Sequence, residues 1–298
     1  MAEFLNCSDI AARLGTKAPW RLLDFAERKD DAHFTGFKLM AVNEEFFIGH
    51  FPGHPILPGV LQLEAIRQLC VLFAPGKAAD WRILRVDKVK FRRPVLPGDR
   101  MRVDAELTSD TDGVMVFKAV TSSASGTCSE ALLTLGKAEP LKAVTAIPAQ
   151  WNDFDRTDKA EMDINKVMEL MPHRYPFLFI DYICKTEDSK VWAVKNVTYN
   201  EPFFDAGFNV FPEVLLCETA AQTGCANVLA KPENAGKLGF FMAIDNAVFH
   251  RQIQPGEQMV FISDLPAGKS RFGRGGGKVY VGDELVFEIS LMFAIVDA

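Results

Sequence analysis

Residues 49–68 read GHFPGHPILPGVLQLEAIRQ, and the rest of the chain is interpreted outward from this stretch. Positions 49–60 hold three prolines and three glycines, a composition that excludes a regular helix and a central strand. The stretch therefore begins as a rigid loop that presents two histidines, His50 and His54.

A helix is predicted to follow this loop. Pro58 and Gly59 are both tolerated at a helix start, and apolar residues then recur at helical spacing to position 73. Such a helix directs free backbone N–H groups and the positive end of its dipole at the loop. Together with Glu64 the stretch combines a histidine, a helix start and a carboxylate, which suits acid–base catalysis. Two structural interpretations stay open from the residues alone: a solvated loop histidine, and a glutamate that is salt-bridged or at an exposed edge.

The string from His50 to Gln68 strongly resembles the active-site segment of the FabZ-type 3-hydroxyacyl-[acyl-carrier-protein] dehydratases. The match includes the histidine, the loop prolines and glycines, and the glutamate. This resemblance implies the hot-dog fold, in which a sheet wraps around one long helix, and a dehydratase activity on acyl thioesters.

The composition is that of an ordinary globular protein with room for two domains. The chain has 298 residues, of which 48% are hydrophobic and 24% are charged. No apolar run approaches the roughly 20 residues of a membrane span, the N-terminal segment lacks the pattern of a signal peptide, and the six cysteines show no metal-site spacing. We therefore expect a cytoplasmic protein with reduced thiols. The net charge of −6 argues against nucleic-acid binding.

The two halves of the chain repeat one another. Four collinear matches carry the repeat: Asp24 with Asp181, Asn43 with Asn200, Glu64 with Glu218, and Asp87 with Asp245. The offset is 157 or 158 positions, except at the glutamate pair, where it is 154. The second copy is therefore about three residues shorter in the loop before its long helix.

Each copy shows the same order of elements, which predicts an α+β fold. A short N-terminal helix, capped by Ser8 or by Asp163, is followed by strand, loop, long helix and a meander of strands. The long helices are predicted at 59–73 and 213–229. With the resemblance, this order implies two tandem hot-dog domains, at 1–138 and 161–298, joined by a linker at 139–160 and packed as a pseudo-dimer.

The two copies differ in which family motif they keep. Residues 172–181 read PHRYPFLFID, which is very similar to the opening of FabZ-type dehydratases, whereas the first copy has a degraded version. The loop of the second copy, 205–213, contains no histidine, and Gly207 stands at the place of His50. Glu218 and Gln222 are nevertheless retained.

The resemblance implies one active site per chain. In homodimeric relatives the histidine and the glutamate of a site come from different hot-dog domains, which pairs His50 with Glu218. The mirror site would pair Glu64 with Gly207 and is predicted to be non-functional. The chain also resembles the double hot-dog dehydratases of fatty acid and polyketide synthases, but Glu218 stands where those have aspartate, which puts an isomerase activity in doubt.

Each residue of the predicted site has an expected role. His50 is the base that removes the proton at C2, and Glu218 is the acid if apolar surroundings raise its pKa. The N–H of Gly59 serves the thioester oxygen, and Gln222 orients the carboxylate or the leaving water. Tunnel or supporting positions are predicted at Phe51, Pro58, Tyr175 and Phe177. A structural or surface role is predicted for His54, and a structural role for His173. No metal or cofactor is expected, since phosphopantetheine arrives with the substrate.

The expected partner is an acyl carrier protein, which is acidic. The chain contains a basic cluster, which consists of Arg82, Arg85, Lys88, Lys90, Arg92 and Arg93. This cluster is either a docking surface for the carrier or a solvated strand face. A homo-oligomer of pseudo-dimers is also predicted, with no nucleic acid and no membrane as partner.

The predicted function is dehydration of 3-hydroxyacyl thioesters to trans-2-enoyl thioesters in fatty acid or polyketide-like biosynthesis. A hot-dog thioesterase or acyl-CoA hydratase is the enzymatic alternative. A non-catalytic partner subunit of a larger dehydratase or synthase is the alternative from another class.

One further motif, residues 271–278, reads RFGRGGGK. A phosphate-binding loop would need a following Gly-Lys-Ser/Thr between a strand and a helix. Since neither is present, a basic hairpin turn is favoured.

Overall fold

A computed structural model of the protein describes residues 2–147, 160–265 and 272–297. Most of the predicted linker, and Arg271 of the glycine-rich motif, lie outside these ranges. Within them, no helix is long and apolar enough to cross a membrane.

The first copy of the repeat contains three α-helices and seven strands among its described residues. They are β1 (Glu3–Leu5), α1 (Cys7–Leu14), β2 (Phe25–Arg28), β3 (His33–Leu39), α2 (Phe46–Gly49), α3 (Gly59–Leu72), β4 (Trp81–Phe91), β5 (Arg100–Thr111), β6 (Val114–Ser123) and β7 (Gly126–Lys137).

The second copy follows the same plan from its N-terminal helix onward. Its elements are α4 (Ile164–Leu170), β8 (Tyr182–Thr186), β9 (Lys190–Asn196), α5 (Pro202–Asp205), α6 (Glu213–Leu229), β10 (Lys237–Phe249), β11 (Gln258–Asp264), β12 (Phe272–Val281) and β13 (Glu284–Asp297).

All of these strands form one continuous antiparallel sheet. Its order is β1-β2-β3-β5-β6-β7-β4-β10-β13-β12-β11-β9-β8. The two copies join in the middle, where β4 pairs with β10 and Val86 lies opposite Ala247. The order of strands on one side of this junction repeats on the other, which is the pseudo-dimer that the sequence repeat predicts.

The helices α3 and α6 are the centre of the two domains. Every residue of α3 from Val60 to Leu72 is buried, and α6 is buried nearly throughout. A helix that is covered on all sides must satisfy any polar side chain internally. The buried polar residues of these two helices therefore mark the places where the fold departs from simple apolar packing.

Two local expectations need correction. The cap of α1 is Asn6 rather than Ser8, because Asn6 Oδ1 accepts hydrogen bonds from the N–H groups of Ser8 and Asp9 at 2.8 and 3.2 Å. The described part of the glycine-rich motif is not a hairpin turn but the start of strand β12. A Cβ on Gly275 would collide with the side chain of Leu265, so glycine is needed there for packing.

Candidate active site

The catalytic loop of the first copy is fixed against the opening segment of the second. Arg174 donates its backbone N–H to the carbonyl of Gly49 at 3.0 Å. A Cβ on Gly49 would collide with the Arg174 carbonyl, so only glycine permits this approach. The contact places the next residue, His50, beside residues 173–177 of the other copy.

His50 is held as a neutral imidazole with one nitrogen free. Its Nδ1 lies 2.8 Å from the carbonyl oxygen of Ile56; a carbonyl only accepts, so Nδ1 carries the proton and Nε2 has a free lone pair. The ring stacks on Phe51 and meets the ring of Phe177 edge-on, at centroid distances of 4.0 and 5.5 Å. Burial lowers the pKa of His50 to about 4, although the charge of Glu218 opposes this shift.

Glu218 reaches the same place from α6, and it is only 5% exposed. Its Oε1 accepts a hydrogen bond from Gln222 Nε2 at 2.8 Å and lies 3.4 Å from His173 Nε2. Burial alone raises the pKa of Glu218, but the hydrogen bond and charge of His173, the charge of His50 and the Gln222 amide outweigh it, and the pKa is lowered. The expectation of a raised pKa is wrong, because these polar neighbours could not be located from the sequence.

Gln222 connects the carboxylate to the backbone of the opening segment. Its amide oxygen accepts from the N–H of Phe179 at 2.9 Å, and its Nε2 donates to the carbonyl of Phe177 at 3.0 Å. The side chain therefore fixes Glu218 relative to the segment that carries His173.

His173 belongs to this site although the sequence argument assigned it a structural role only. Besides its contact with Glu218, its ring lies 5.5 Å from the ring of His50. Its Nδ1 is buried and has no hydrogen-bond partner in the described part of the chain. A comparison of the two copies could have identified His173 as a site residue. The repeat offset places Thr16 at this position of the first copy, so the histidine is not part of what the two copies share.

These side chains face a cavity of about 390 Å³. The cavity wall is mainly apolar, with Ile56, Leu57, Phe91, Phe240, Phe241, Met242, Leu265, Leu291 and Phe293 among its members. Phe51 and Gly59 also line it. A Cβ on Gly59 would lie 2.8 Å from the ring of Phe91, so the helix start needs glycine here.

The other three predicted tunnel or supporting residues do not line the cavity. Tyr175 is 70% exposed and does not line the cavity, so its predicted place in the wall is wrong. Phe177 is buried behind His50, and Pro58 caps α3 without lining the cavity. His54, expected to have a structural or surface role, is exposed and lines the cavity.

The pseudo-symmetric position in the second copy has no room for a histidine. Lys17 donates its N–H to the carbonyl of Ala206 at 2.7 Å, which is the counterpart of the contact between Arg174 and Gly49. This places Gly207 at the position of His50 in space as well as in sequence. A Cβ on Gly207 would lie 2.8 Å from the carbonyl oxygen of Gly15.

The glutamate of this mirror position is neutralised by an arginine. Arg67 donates two hydrogen bonds to Glu64, at 2.7 and 2.8 Å, and Gln68 donates a third at 2.9 Å. The repeat offset places Ala221 at the position of Arg67, and Ala221 lines the cavity of the first site. The mirror position is thus filled by an ion pair where the other site is open.

The basic cluster is only partly available to a partner. Arg82 is 2% exposed and donates to the carbonyl of Phe249, so its place in a docking surface is wrong. Arg85 pairs with Asp87, and Arg92 pairs with Glu130.

Two members of the cluster, Arg92 and Arg93, line the cavity, and both are exposed. The exposed lysines Lys88 and Lys90 lie on the preceding strand.

One group in the described part of the chain could hold a metal ion. Potential ligand atoms of His50, His173 and Glu218 all lie within 4.8 Å of one another. The expectation that no metal takes part is untested and stays a prediction.

Known structures first define the class of protein. The dehydratase domain from the CurJ module of curacin polyketide synthase matches 93% of this chain and 96% of its own length, with a TM-score of 0.64 and 12% identity. The dehydratase domain of PpsC from Mycobacterium tuberculosis matches 89% and 94%, with a TM-score of 0.60 and 14% identity. The protein therefore has the fold of the double hot-dog dehydratases.

Sequence relatives then identify the family. A family model described as ApeI dehydratase matches residues 26–131, and one described as a FabA-like domain matches residues 171–290. The 3-hydroxyacyl-[acyl-carrier-protein] dehydratase FabZ of Pelotomaculum thermopropionicum is 46% identical over 138 residues, which are 45% of this chain and 99% of that protein. FabZ of Bacillus subtilis is 41% identical over 138 residues, 45% of this chain and 98% of that protein. The chain belongs to the FabZ family of dehydratases.

The ion pair at the mirror position generates a stability prediction. Glu64→Gln should lower the free energy of unfolding by about 3–5 kcal/mol, because buried Arg67 loses the carboxylate that accepts two of its hydrogen bonds. Dehydratase turnover of the folded variant should stay close to wild type. Urea denaturation measures the first effect, and Glu130→Gln, which breaks the exposed pair with Arg92, is the matched control with an expected cost of about 0–1 kcal/mol. A Glu64→Gln variant that is folded but inactive would place the catalytic carboxylate in the first copy instead.

The histidine–glutamate group generates a second prediction. Dialysis against EDTA should leave dehydratase turnover unchanged, because a neutral imidazole and a carboxylate suffice for the proton transfers. Metal analysis of the protein before and after dialysis is the control. Loss of turnover that added Zn²⁺ restores would show that a metal is required.

Proposed function

We propose that this protein removes water from 3-hydroxyacyl thioesters carried on an acyl carrier protein, giving trans-2-enoyl thioesters. The reaction uses one site per chain, formed by His50 and Glu218, and serves fatty acid or polyketide-like biosynthesis. One observation carries the proposal: the two side chains come from different hot-dog domains and meet in one apolar cavity, while the mirror position is closed. Family membership supports the reaction type.

His50 is the base in this proposal. Its lowered pKa keeps the ring neutral at pH 7, and the Ile56 carbonyl fixes the tautomer that leaves Nε2 free to accept the C2 proton. A base with so low a pKa needs both correct placement against the C2–H bond and stabilisation of the imidazolium that it becomes.

Glu218 has a role different from that of a resting acid. The lowered pKa of its carboxyl means that the group is ionised before substrate binds. The carboxylate can accept a hydrogen bond from the C3 hydroxyl and can stabilise the imidazolium that His50 becomes. The proton taken from C2 then returns, through Glu218 or directly from His50, to the hydroxide that leaves C3, so that water is released and both side chains regain their starting states.

The start of α3 stabilises the charge that develops on the thioester oxygen. Gly59 is the first residue of that helix, and its N–H lacks an intrahelical acceptor. Because Gly59 lines the cavity, this N–H can donate to an oxygen of the substrate. An oxyanion donor of this kind contributes about 3 kcal/mol to transition-state stabilisation.

The entrance favours an acidic carrier. Arg92 and Arg93 border the cavity, and positive charge at an entrance attracts a negatively charged partner even when the protein as a whole is acidic. A cytoplasmic location would fit these partners and is itself a proposal.

Substitution of the two catalytic side chains tests the proposal. With a 3-hydroxyacyl thioester of an acyl carrier protein, His50→Ala should lower kcat by at least about a hundredfold, since general-base catalysis contributes about 10²–10⁴. Glu218→Gln should lower kcat to a similar extent, because it removes the charge that stabilises the imidazolium. Enoyl product is measured by mass spectrometry, and circular dichroism confirms folding.

Either of two outcomes would contradict this function. Release of a free thiol without enoyl product would indicate a thioesterase. Absence of turnover by the wild-type chain on acyl carrier protein and on coenzyme A, with turnover appearing only when a second protein is added, would indicate a partner subunit.

The pKa of His50 gives a pH prediction. The base is active when it is neutral, hence above its pKa, so kcat/KM should hold to about pH 5 and fall towards pH 4. An unperturbed histidine would give a midpoint near pH ~6.5. The profile is measured with a short thioester substrate, with circular dichroism at each pH to exclude unfolding. An acid limb centred near the unperturbed value would show that His50 is not desolvated in the free enzyme.

A further inference from the structure

A buried glutamine of the first copy lines the cavity without an assigned role. Gln62 is 2% exposed and lies one turn after Gly59 on α3. Its Oε1 accepts a hydrogen bond from the hydroxyl of Thr121 at 2.6 Å, and Thr121 in turn lies 2.7 Å from the hydroxyl of Ser129. Both hydroxyl residues are fully buried. The amide oxygen is thus held by Thr121 on β6, which is itself in contact with Ser129 on β7.

The other end of this amide is a donor that the protein leaves unused. Within the described residues, the side chain of Gln62 makes no hydrogen bond other than the one to Thr121. Most of the surrounding wall is apolar. Once an acyl chain displaces solvent from such surroundings, an N–H donor without an acceptor costs free energy. Bound substrate is the acceptor that the cavity can supply.

The position of Gln62 on α3 indicates which substrate atom accepts its hydrogen bond. Side chains on an α-helix lean towards its N-terminus, and residues three apart lie on one face. The side chain of Gln62 therefore leans towards the turn that begins at Gly59, and both residues line the cavity. One helix start thus brings two possible donors to the cavity wall.

The mirror position has no counterpart of the Gln62 amide, and the backbone N–H of its helix start is bound by the carboxylate of Glu213. The repeat offset of 154 aligns Gly59 with Glu213, and Gln62 with Leu216. By contrast, the glutamate and glutamine further along each helix are present in both copies, where the glutamine holds the backbone of the opening segment. Gln62 thus occurs only at the helix start that faces an open cavity, as expected for a group that serves the reaction rather than packing.

We propose that Gln62 is a further catalytic residue, whose Nε2 donates a hydrogen bond to the thioester oxygen together with the N–H of Gly59. This inference rests on the proposed function. When His50 takes the C2 proton, the electron pair of the C2–H bond moves towards the thioester, and negative charge develops on its oxygen. The amide stabilises that charge until the pair returns to form the C2–C3 double bond and the C3–O bond breaks.

A different acceptor would have a different kinetic signature. An amide carbonyl of the pantetheine arm would bind Nε2 equally in the ground state and in the transition state, which changes KM and leaves kcat unchanged. The thioester oxygen gains charge only as the reaction proceeds, so loss of its donor lowers kcat.

The experiment compares Gln62→Met, which removes the donor and the acceptor, with Gln62→Glu, which keeps an oxygen for Thr121. Substrates are the acyl carrier protein thioester, the N-acetylcysteamine thioester and a simple ethyl thioester that has no pantetheine amide. Gln62→Met should lower kcat by about 10²–10³, as for other oxyanion donors. The loss should be similar on all three substrates, with KM changed only a few-fold.

The Gln62→Glu variant shows whether the side chain acts as a hydrogen-bond donor or only through packing. Its protonated carboxyl can donate and its ionised form cannot, so kcat should fall as pH rises and recover on acidification. Gln62→Met should show no such recovery. Leu216→Met, at the counterpart position in α6, is the matched control and should keep wild-type kcat, since this exchange conserves volume. Thermal melting of each variant confirms folding.

Three results would overturn the inference. One is a Gln62→Met variant with wild-type kcat; another is a loss confined to KM on the two substrates that carry a pantetheine amide; the third is a Gln62→Glu pH profile parallel to that of wild type. A wild-type enzyme that forms no enoyl product from any of the substrates would overturn the proposed function and this inference together.

Discussion

The amide of one buried glutamine in each copy is the interaction on which the site depends. Gln222 bonds the backbone of residues 177 and 179 with both ends of its amide and holds Glu218 with the same nitrogen. Gln68 makes the equivalent bonds in the first copy. Removing either amide would leave buried backbone groups unpaired, which is costly. This explains why both copies keep the glutamate–glutamine pair, although only one of them faces a histidine.

The two copies differ in what surrounds the buried glutamate of the long helix. A buried glutamate needs a partner for its charge. In the second copy of the helix, His173 and the open cavity surround Glu218; in the first, Arg67 fills the space and pairs with Glu64. The same arginine also faces Glu213, which replaces the glycine of the other helix start. The closed position therefore contains charged side chains that pair with one another, where the open site has polar groups that face the cavity.

The sequence was sufficient for the features that the repeat determines. The offset between the copies predicted the pseudo-dimer, and the bounds of α6 were as expected. The sequence was not sufficient to predict which individual side chains are buried and which are exposed. Arg82 is buried in the strand that joins the copies, and Tyr175 points outward from the opening segment. The contact of His173 with Glu218 and the ion pair of Glu64 depend on side-chain positions that spacing alone does not define.

The electrostatic state of the free site follows from two opposing effects on its two titrating groups. Burial holds His50 neutral, and hydrogen bonds from His173 and Gln222 hold Glu218 ionised in spite of burial. The negative charge of Glu218 raises the proton affinity of His50, against the effects of burial and of the charge of His173. The base is thus neutral before the reaction and is stabilised by a nearby carboxylate once it has taken a proton. A carboxyl that was protonated at rest could not give this stabilisation, so the Gln222 amide and His173 influence the base by keeping Glu218 ionised.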